Sequence, residues 1–227
     1  MESLDLLANN VANASTGGYK ADREFYSLYI APEADPTAST MPVIEQRWTD
    51  LSQGAVQVTG NPLDLAISGK GFFAVDGPNG PLYTRNGSFH LAGNGSLVTA
   101  EGYAVRNASG AALTLQSTRP IEIANDGTVQ QDGNVIGQLA IVDFTSTAGL
   151  TKQGNNYFRV TGPAATAAPP SGATVEQGRL ETSNSGTADA AIRLVSIMRQ
   201  FEMLQKAVAL GADMSRQAIE QVAKPGA

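Results

Sequence analysis

A length of 227 residues suffices to bury a core, and 24 glycines and 11 prolines beside 42% hydrophobic residues indicate a turn-rich globular protein. The formal net charge of −6, without a cluster of Lys and Arg, argues against nucleic acid as a partner. Because cysteine is absent, disulfides, thiolate metal sites and cysteine nucleophiles are excluded.

The N-terminus has the pattern of a short helix. Leu4, Leu7 and Val11 fall on one helical face. The run from Asn13 to Gly18 contains glycines that suit a left-handed helix end, so the helix is expected to end near Asn13. Since no capping residue precedes the apolar pattern, we also expect that the N-terminus is incomplete or shortened.

The same segment argues against two routes to a membrane. Glu2 and Asp5 stand where a signal peptide carries basic residues, so a cleaved signal peptide is not expected. No apolar run approaches the length of a membrane span, which argues against direct membrane insertion.

The middle of the chain predicts many short strands. Residues 31–48 are expected to form an extended linker, because APEADPTASTMP carries three prolines and little apolar content. From about Thr49, apolar residues alternate with polar ones, as at Leu63, Leu65 and Ile67. Turn signals that suit tight hairpins recur at Asn79-Gly80, Asn86-Gly87, Gly93-Asn94-Gly95, Asp126-Gly127 and Asp132-Gly133. The pattern favours an antiparallel sandwich or open barrel.

The C-terminal residues predict a long helix that begins at about Thr187 and runs for about 35 residues. Its narrow apolar seam contains Leu194, Ile197, Phe201, Leu204 and Val208. At about 1.5 Å per residue this helix spans on the order of 50 Å, against under about 20 Å for the N-terminal helix. Most of the seam is therefore expected to contact other subunits.

The predicted fold class is α+β. The N- and C-terminal helices are expected to pack together as a coiled-coil-like core element, beside the central antiparallel β-rich domain. The expected domains are residues 1–30 (N-terminal helix and following segment), 31–48 (linker), 49–184 (β-rich outer domain) and 185–227 (C-terminal helix). The residues expected to form subunit contacts are Leu4, Leu7, Val11, Leu194, Ile197, Phe201, Leu204 and Val208.

No catalytic, cofactor or metal site is expected. Gly69-Lys70-Gly71 lacks the other glycines of a phosphate loop, and His90, the single histidine, has no companion for a metal site. Most of the candidate carboxylates lie beside turn glycines or at strand ends, where Asp favours local backbone bonds: Asp64, Asp76, Asp126, Asp132 and Asp143. Two alternatives remain, a secreted β-rich carbohydrate-binding module and a small hydrolase that uses Asp126 and Asp132.

Three stretches of the chain resemble the bacterial flagellar rod and hook proteins. They are LDLLANNVANASTGGYK (4–20), GNPLDLAISGKGFFAV (60–75) with YTRNGSF (83–89), and GRLETSN (178–184) with RQFE (199–202). The stretches occur in the family's order across nearly the whole chain. The length and IGQLAIVDF (136–144) are most similar to the proximal rod members, with the distal rod members second.

The resemblance implies a structural, non-enzymatic subunit of the flagellar basal-body rod. It implies that the terminal helices pack side by side in the axial core, against copies of the chain and other rod proteins, with the β domain outside them. It also implies export through the flagellar type III apparatus without a cleaved signal peptide, and a final position in the axial rod where it crosses the periplasm.

Overall fold

The computed structural model describes residues 2–29, 41–116, 119–154, 156–162 and 165–223. The chain divides into two compact units. One comprises Met1–Ala12 and Gly186–Ala227 and is helical, and the other comprises Asn13–Ser185 and is built of strands.

The helical unit contains α1 (Glu2–Ala12) and α2 (Thr187–Ala223). Their limits agree with the periodic apolar patterns, because α1 ends just before Asn13 and α2 begins at Thr187. The two helices contact each other. Across the described ranges, neither helix is both long and apolar enough to cross a membrane.

The predicted fold class is wrong in its central element, because the terminal helices do not form a coiled-coil-like core. Helix α1 has 11 residues and α2 has 37, or roughly 16 Å and 55 Å at about 1.5 Å per residue. A helix of that length cannot line the whole of its partner, and the large apolar side chains beyond the start of α2 are exposed. The fold is instead mostly strands, joined into antiparallel sheets.

The β unit contains seventeen strands among its described residues. They are β1 (Asp22–Tyr29), β2 (Met41–Thr49), β3 (Val56–Val58), β4 (Leu65–Ser68), β5 (Phe72–Gly77), β6 (Gly80–Thr84), β7 (Phe89–Leu91), β8 (Leu97–Thr99), β9 (Ile121–Ile123), β10 (Thr128–Gln131), β11 (Asn134–Gln138), β12 (Ile141–Phe144), β13 (Leu150–Lys152), β14 (Tyr157–Val160), β15 (Ala167–Ala168), β16 (Thr174–Gln177) and β17 (Arg179–Glu181). Every pairing between these strands is antiparallel.

The strands form neither the predicted sandwich nor the predicted barrel. The largest sheet has six strands in the order β13-β14-β6-β5-β12-β15, and a second has the order β11-β10-β9. Four two-stranded sheets pair β1 with β2, β16 with β4, β17 with β3, and β7 with β8. The last two strands of the unit thus pair with its early strands, and the described strands are distributed over six antiparallel sheets.

Strand β5 lies between two hydrophobic clusters. Phe73 and Val75 belong to the larger cluster, whereas Phe72 and Ala74 on the other side of the strand belong to a smaller one. The side chain of Phe73 meets Phe89 edge to face at a centroid distance of 5.2 Å. Because successive side chains of a strand point to opposite faces, β5 is the element that both clusters share.

The predicted linker covers residues 31–48, of which residues 31–40 lie outside the described part of the chain. Residues Met41–Thr49 form β2, which pairs with β1 from Asp22↔Thr49 to Tyr29↔Met41. Neither strand was predicted, because the proline-rich run before β2 dominated the sequence pattern there.

Four of the five turn signals lie in hairpins, as predicted. They join β5 to β6, β7 to β8, β9 to β10 and β10 to β11. The prediction for Asn86-Gly87 is wrong, because this pair leads from β6 to β7, which belong to different sheets. Gly87 is instead packed against β4, where its carbonyl accepts a hydrogen bond from Leu65 N at 3.0 Å and a Cβ would collide with the Leu65 carbonyl.

We expect Gly87→Ala to lower the free energy of unfolding of the β unit by about 1–3 kcal/mol, because the backbone of β4 must shift to admit the methyl group. Gly93→Ala is the matched control, since Gly93 lies in a turn with open space around its Cα and the cost should stay within about 0.5 kcal/mol. Urea unfolding followed by circular dichroism measures both. Equal losses in the two variants would contradict the packing described for Gly87.

Candidate functional site

The structure places the residues predicted to form subunit contacts at three levels of burial. On α1, Leu7 is buried, and Leu4 and Val11 are half-buried. On α2, Leu194 and Ile197 are half-buried, whereas Val208 is 73% exposed. The side chains of Phe201 and Leu204 lie outside the described part of the structure. Burial along the predicted seam is therefore confined, among the described side chains, to its N-terminal end.

The exposed part of α2 includes a second apolar face that the sequence analysis missed. Ile192, Met203, Leu210 and Met214 are each 62–65% exposed. At about 100° per residue these four positions fall within about 40° of one another, on the side of the helix opposite Val208. We call them the opposite face, and the predicted set Leu194, Ile197, Phe201, Leu204 and Val208 the seam face. The four residues are 11, 7 and 4 positions apart in the sequence, a spacing that the prediction overlooked because it followed the seven-residue series of the seam face.

Apolar side chains on two faces of α2 can supply binding energy when they are covered. Burying a Leu, Ile, Val or Met side chain contributes about 1.5–3 kcal/mol, so an exposed row of them is a strong potential contact surface. A single neighbouring helix covers only one side of α2. Both faces are covered only when α2 contacts neighbours on two sides.

The β unit contains a cluster of buried charges that we call the ion cluster: Lys20, Arg85 and Glu181. Lys20 Nζ lies 2.5 Å from Glu181 Oε1, and Arg85 Nη1 lies 3.2 Å from Glu181 Oε2. The side chains of Lys20 and Glu181 are fully buried, and that of Arg85 is 4% exposed. One carboxylate is therefore shared by two cations that have almost no access to water.

Backbone groups add hydrogen bonds to the ion cluster, although Arg85 Nε stays buried without a hydrogen-bond partner among the described residues. Lys20 Nζ donates to the carbonyl of Ser52 at 2.6 Å, and the amide of Gly54 donates to Glu181 Oε1 at 2.9 Å. Arg85 donates to the carbonyls of Ile67 at 3.1 Å and Gly69 at 2.6 Å. Buried charges are tolerated only when they are paired and hydrogen-bonded in this way.

Burial lowers the pKa of Lys20, and the charge of Glu181 acts against that shift. Burial also lowers the pKa of Arg85, where Glu181 again favours the charged form. Glu181 thus favours the charged form of both cations through direct ion pairs, and Asp50 and Asp143 add smaller favourable contributions to Lys20 and Arg85, respectively.

The segments of the β unit that lead toward the two helices run beside each other at the ion cluster. The amide of Gly18 donates to the carbonyl of Glu181 at 2.7 Å, and the amide of Asn184 donates to the carbonyl of Tyr19 at 3.2 Å. The Asn184 side chain accepts from the amide of Ala21 at 2.7 Å and donates to the carbonyl of Asp50 at 2.6 Å. Both segments are therefore fixed by the same small set of groups.

Gly18 allows this close approach. Its φ of +66° lies in the left-handed region, as expected for a glycine after a helix end. A side chain at this position would collide with the backbone between Arg85 and Asn86. The glycine run that the sequence analysis assigned to the end of α1 thus also packs against the start of another segment of the β unit.

Lys152, the last residue of β13, binds the N-terminal segment of the β unit. Its Nζ donates to the carbonyl of Lys20 at 2.6 Å and to Asp22 Oδ2 at 2.8 Å, and lies 4.2 Å from the centroid of the Tyr19 ring. Burial, with a smaller contribution from Asp22, raises the pKa of Tyr19 to about 12. The phenol of Tyr19 therefore stays neutral at physiological pH.

The three stretches that resemble the rod and hook proteins meet at the ion cluster. Lys20 ends the first stretch, Arg85 lies in the second and Glu181 in the third. The sequence analysis quoted these residues but did not predict that their charges pair. The only feature that Lys20, Arg85 and Glu181 share in the sequence is that each lies in one of these three stretches, which are far apart in the chain.

The carboxylates that the hydrolase alternative required have structural partners. Asp126 accepts from the amide of Thr128 at 2.9 Å, and Asp132 pairs with Arg119. Within the described residues, no group of three or more His, Cys, Asp or Glu side chains is arranged to hold a metal ion. His90 is exposed on β7.

The geometry defines a class of protein, namely an assembly subunit with a β unit closed around its own charges and a long helix that exposes two apolar faces. The comparisons with known proteins agree. Residues 66–136 match the family model described as flagellar hook protein FlgE/F/G D1 domain, and residues 176–221 match the one described as flagellar basal body rod FlgEFG protein C-terminal.

Similar proteins extend over nearly the whole chain. The flagellar basal-body rod protein FlgF of Caulobacter vibrioides is 33% identical over 97% of this chain and 92% of that protein. FlgG of Bacillus subtilis is 32% identical over 90% of this chain and 88% of that protein, and FlgF of Mesorhizobium japonicum is 30% identical over 96% and 90%. The chain belongs to the flagellar basal-body rod protein family. It is a structural rod subunit of the flagellar basal body and not an enzyme.

We expect Glu181→Gln to lower the free energy of unfolding by about 3–5 kcal/mol, because it removes the carboxylate that is directly paired with two buried cations. The matched control is Glu176→Gln, which breaks the partly exposed pair with Arg179 at 2.6 Å and should cost under about 1 kcal/mol. Urea unfolding of both variants measures the difference. A loss for Glu181→Gln no larger than that of the control would show that the ion cluster does not stabilise the fold.

Proposed function

We propose that this rod subunit assembles through both apolar faces of α2. The observation that carries the proposal is the exposure of Ile192, Met203, Leu210 and Met214 on one side of the helix, together with Val208 on the other. In a family of structural rod proteins, such a helix can form the contacts between subunits, since a rod is built by repeated contacts of this kind.

Contacts on two sides of one helix suit an open assembly. When a subunit uses one surface to contact the subunit before it and a different surface to contact the subunit after it, the array grows into a helix unless it closes into a ring. The seam face and the opposite face supply two such surfaces. The partners are copies of this chain and other rod subunits.

Isolated helices are marginal in water, and most helical stability comes from tertiary packing. Helix α2 should therefore gain much of its stability on assembly, when its two faces are covered. The β unit depends less on assembly, because most of its large apolar side chains lie in two buried clusters of its own.

The location follows from the same proposal. The subunit is exported through the flagellar type III apparatus without a cleaved signal peptide and takes its place in the axial rod where the rod crosses the periplasm. Support for this comes from the family membership.

The proposed position within the rod is proximal, with the distal rod as the alternative. The similar proteins include both FlgF and FlgG proteins, so the choice rests on the chain length and on the segment 136–144. We expect this gene to restore swimming to a strain of its own species that lacks it, with the protein placed next to the inner end of the rod by immunogold labelling. Labelling at the outer end of the rod would instead assign the distal position.

Charged substitutions on the two faces test the assembly surfaces. We expect Leu210→Asp on the opposite face and Val208→Asp on the seam face each to reduce incorporation into purified basal bodies about tenfold or more, because each removes a contact of about 1.5–3 kcal/mol and introduces a buried charge. Swimming should fall in parallel.

Gln200→Asp provides the matched control, since Gln200 is an exposed polar residue between the two faces. All three variants should unfold within about 0.5 kcal/mol of the parent as isolated proteins, because the changed side chains are exposed there. If Leu210→Asp assembles as well as Gln200→Asp, the opposite face is not a contact surface. Loss of assembly in all three variants would mean that charge on α2, and not the position of the apolar faces, governs incorporation.

A further inference from the structure

The sequence contains three Asn-Gly pairs, which differ in exposure and hydrogen bonding in the structure. They are Asn79-Gly80, Asn86-Gly87 and Asn94-Gly95. In such a pair the backbone nitrogen of the glycine can attack the side-chain amide of the asparagine, because glycine has no side chain to hinder the approach. The reaction needs a side-chain amide and a backbone nitrogen that are both free to move.

Asn79-Gly80 comes closest to meeting both requirements. The pair is exposed at the tip of the hairpin between β5 and β6, and a Cβ on Gly80 would meet nothing within 4 Å. In the described part of the chain no group hydrogen-bonds to the Asn79 side chain. Gly77↔Gly80 is the last residue pair of the β5–β6 ladder, so freeing the Gly80 amide opens only the end of the hairpin.

Asn86-Gly87 is held at both residues. Asn86 Oδ1 accepts a hydrogen bond from the backbone amide of Ser88 at 3.1 Å, and the backbone amide of Asn86 donates to Thr84 Oγ1 at 3.0 Å. The carbonyl of Gly87 accepts from Leu65 N at 3.0 Å in a position where even a methyl group has no room. Cyclisation here would require β4 to separate from this segment.

Asn94-Gly95 is also held. Asn94 Oδ1 accepts from the amide of Ser96 at 3.0 Å. The amide of Gly95, which would be the attacking nitrogen, donates to the carbonyl of Ala92 at 2.8 Å, and the carbonyl of Gly95 accepts from Leu115 at 2.7 Å. The nitrogen is thus engaged within the β unit.

We infer that Asn79 is a site of spontaneous deamidation, and that the fold protects the other two Asn-Gly pairs. The Gly80 backbone nitrogen loses its proton and bonds to the side-chain amide carbon of Asn79, whose nitrogen leaves as ammonia. Water then opens the cyclic imide at either carbonyl, which gives aspartate or isoaspartate. Water is the single co-reactant, and no oxidation or reduction occurs.

The modification would change the β5–β6 hairpin tip in two ways. It adds one negative charge to the formal net charge of −6 of the whole chain. The isoaspartate product also inserts an extra backbone atom next to Gly80. Older subunits would therefore differ from newly made ones at this hairpin.

The test is a time course of the full-length protein at mildly alkaline pH, followed by peptide mapping in a mass spectrometer. We expect the Asn79 peptide to gain the mass change of an amide converted to an acid about tenfold faster or more than the Asn86 and Asn94 peptides. That ratio corresponds to a difference of about 1.4 kcal/mol in the cost of opening the reactive pair. In urea the three peptides should react at similar rates.

Labelling by an isoaspartyl methyltransferase provides an independent readout. Asn79→Gln should abolish most of the label that accumulates in the folded protein, and the matched control Asn94→Gln should leave it unchanged. The inference is overturned if Asn86 or Asn94 reacts as fast as Asn79 in the folded protein. It is also overturned if Asn79 keeps its advantage in urea, since the local sequence and not the fold would then set the rate.

Discussion

The carboxylate of Glu181 is the interaction on which the β unit depends. It binds Lys20 from the N-terminal segment and Arg85 from the centre of the unit, and its own backbone carbonyl accepts from Gly18. Charges this deeply buried are costly unless each finds a partner, so the cluster is stable only as a whole. It therefore fixes which parts of the chain lie together, and not only how strongly they are held.

The two units of the chain differ in how much of their apolar surface they bury. The β unit divides its large side chains between two clusters that meet at β5, and it does so with residues of its own. Helix α2 exposes Ile192, Met203, Leu210 and Met214 on one face and Val208 on the opposite one. The β unit therefore buries most of its large apolar side chains by itself, whereas the exposed side chains of α2 are available for the subunit contacts proposed above.

Features that depend on neighbouring residues could be predicted from the sequence. The helix limits follow from apolar spacing, and four of the five turn signals lie in hairpins because Asn-Gly and Asp-Gly favour tight turns locally. Features that depend on distant residues could not. The pairing of β17 with β3, the position of Gly87 beneath Leu65 and the charges around Glu181 are decided by contacts between separate parts of the chain. The fold class was wrong for a related reason, because helix patterns do not show whether two helices pack into a coiled-coil-like core. On α2 the prediction followed a single series of spacings, so Leu210 and the other residues of the opposite face were missed.

The distance along the chain between Lys20 and Glu181, 161 residues, has a consequence for how the subunit is made. Contacts between residues so far apart form slowly, because a long loop must close before they contribute any stability. Strands β16 and β17, which pair with β4 and β3, also lie at the end of the β unit. A chain that emerges from its N-terminus cannot complete its core until residue 181 has arrived. The ion cluster and the pairings of β3 and β4 can therefore form only late in synthesis.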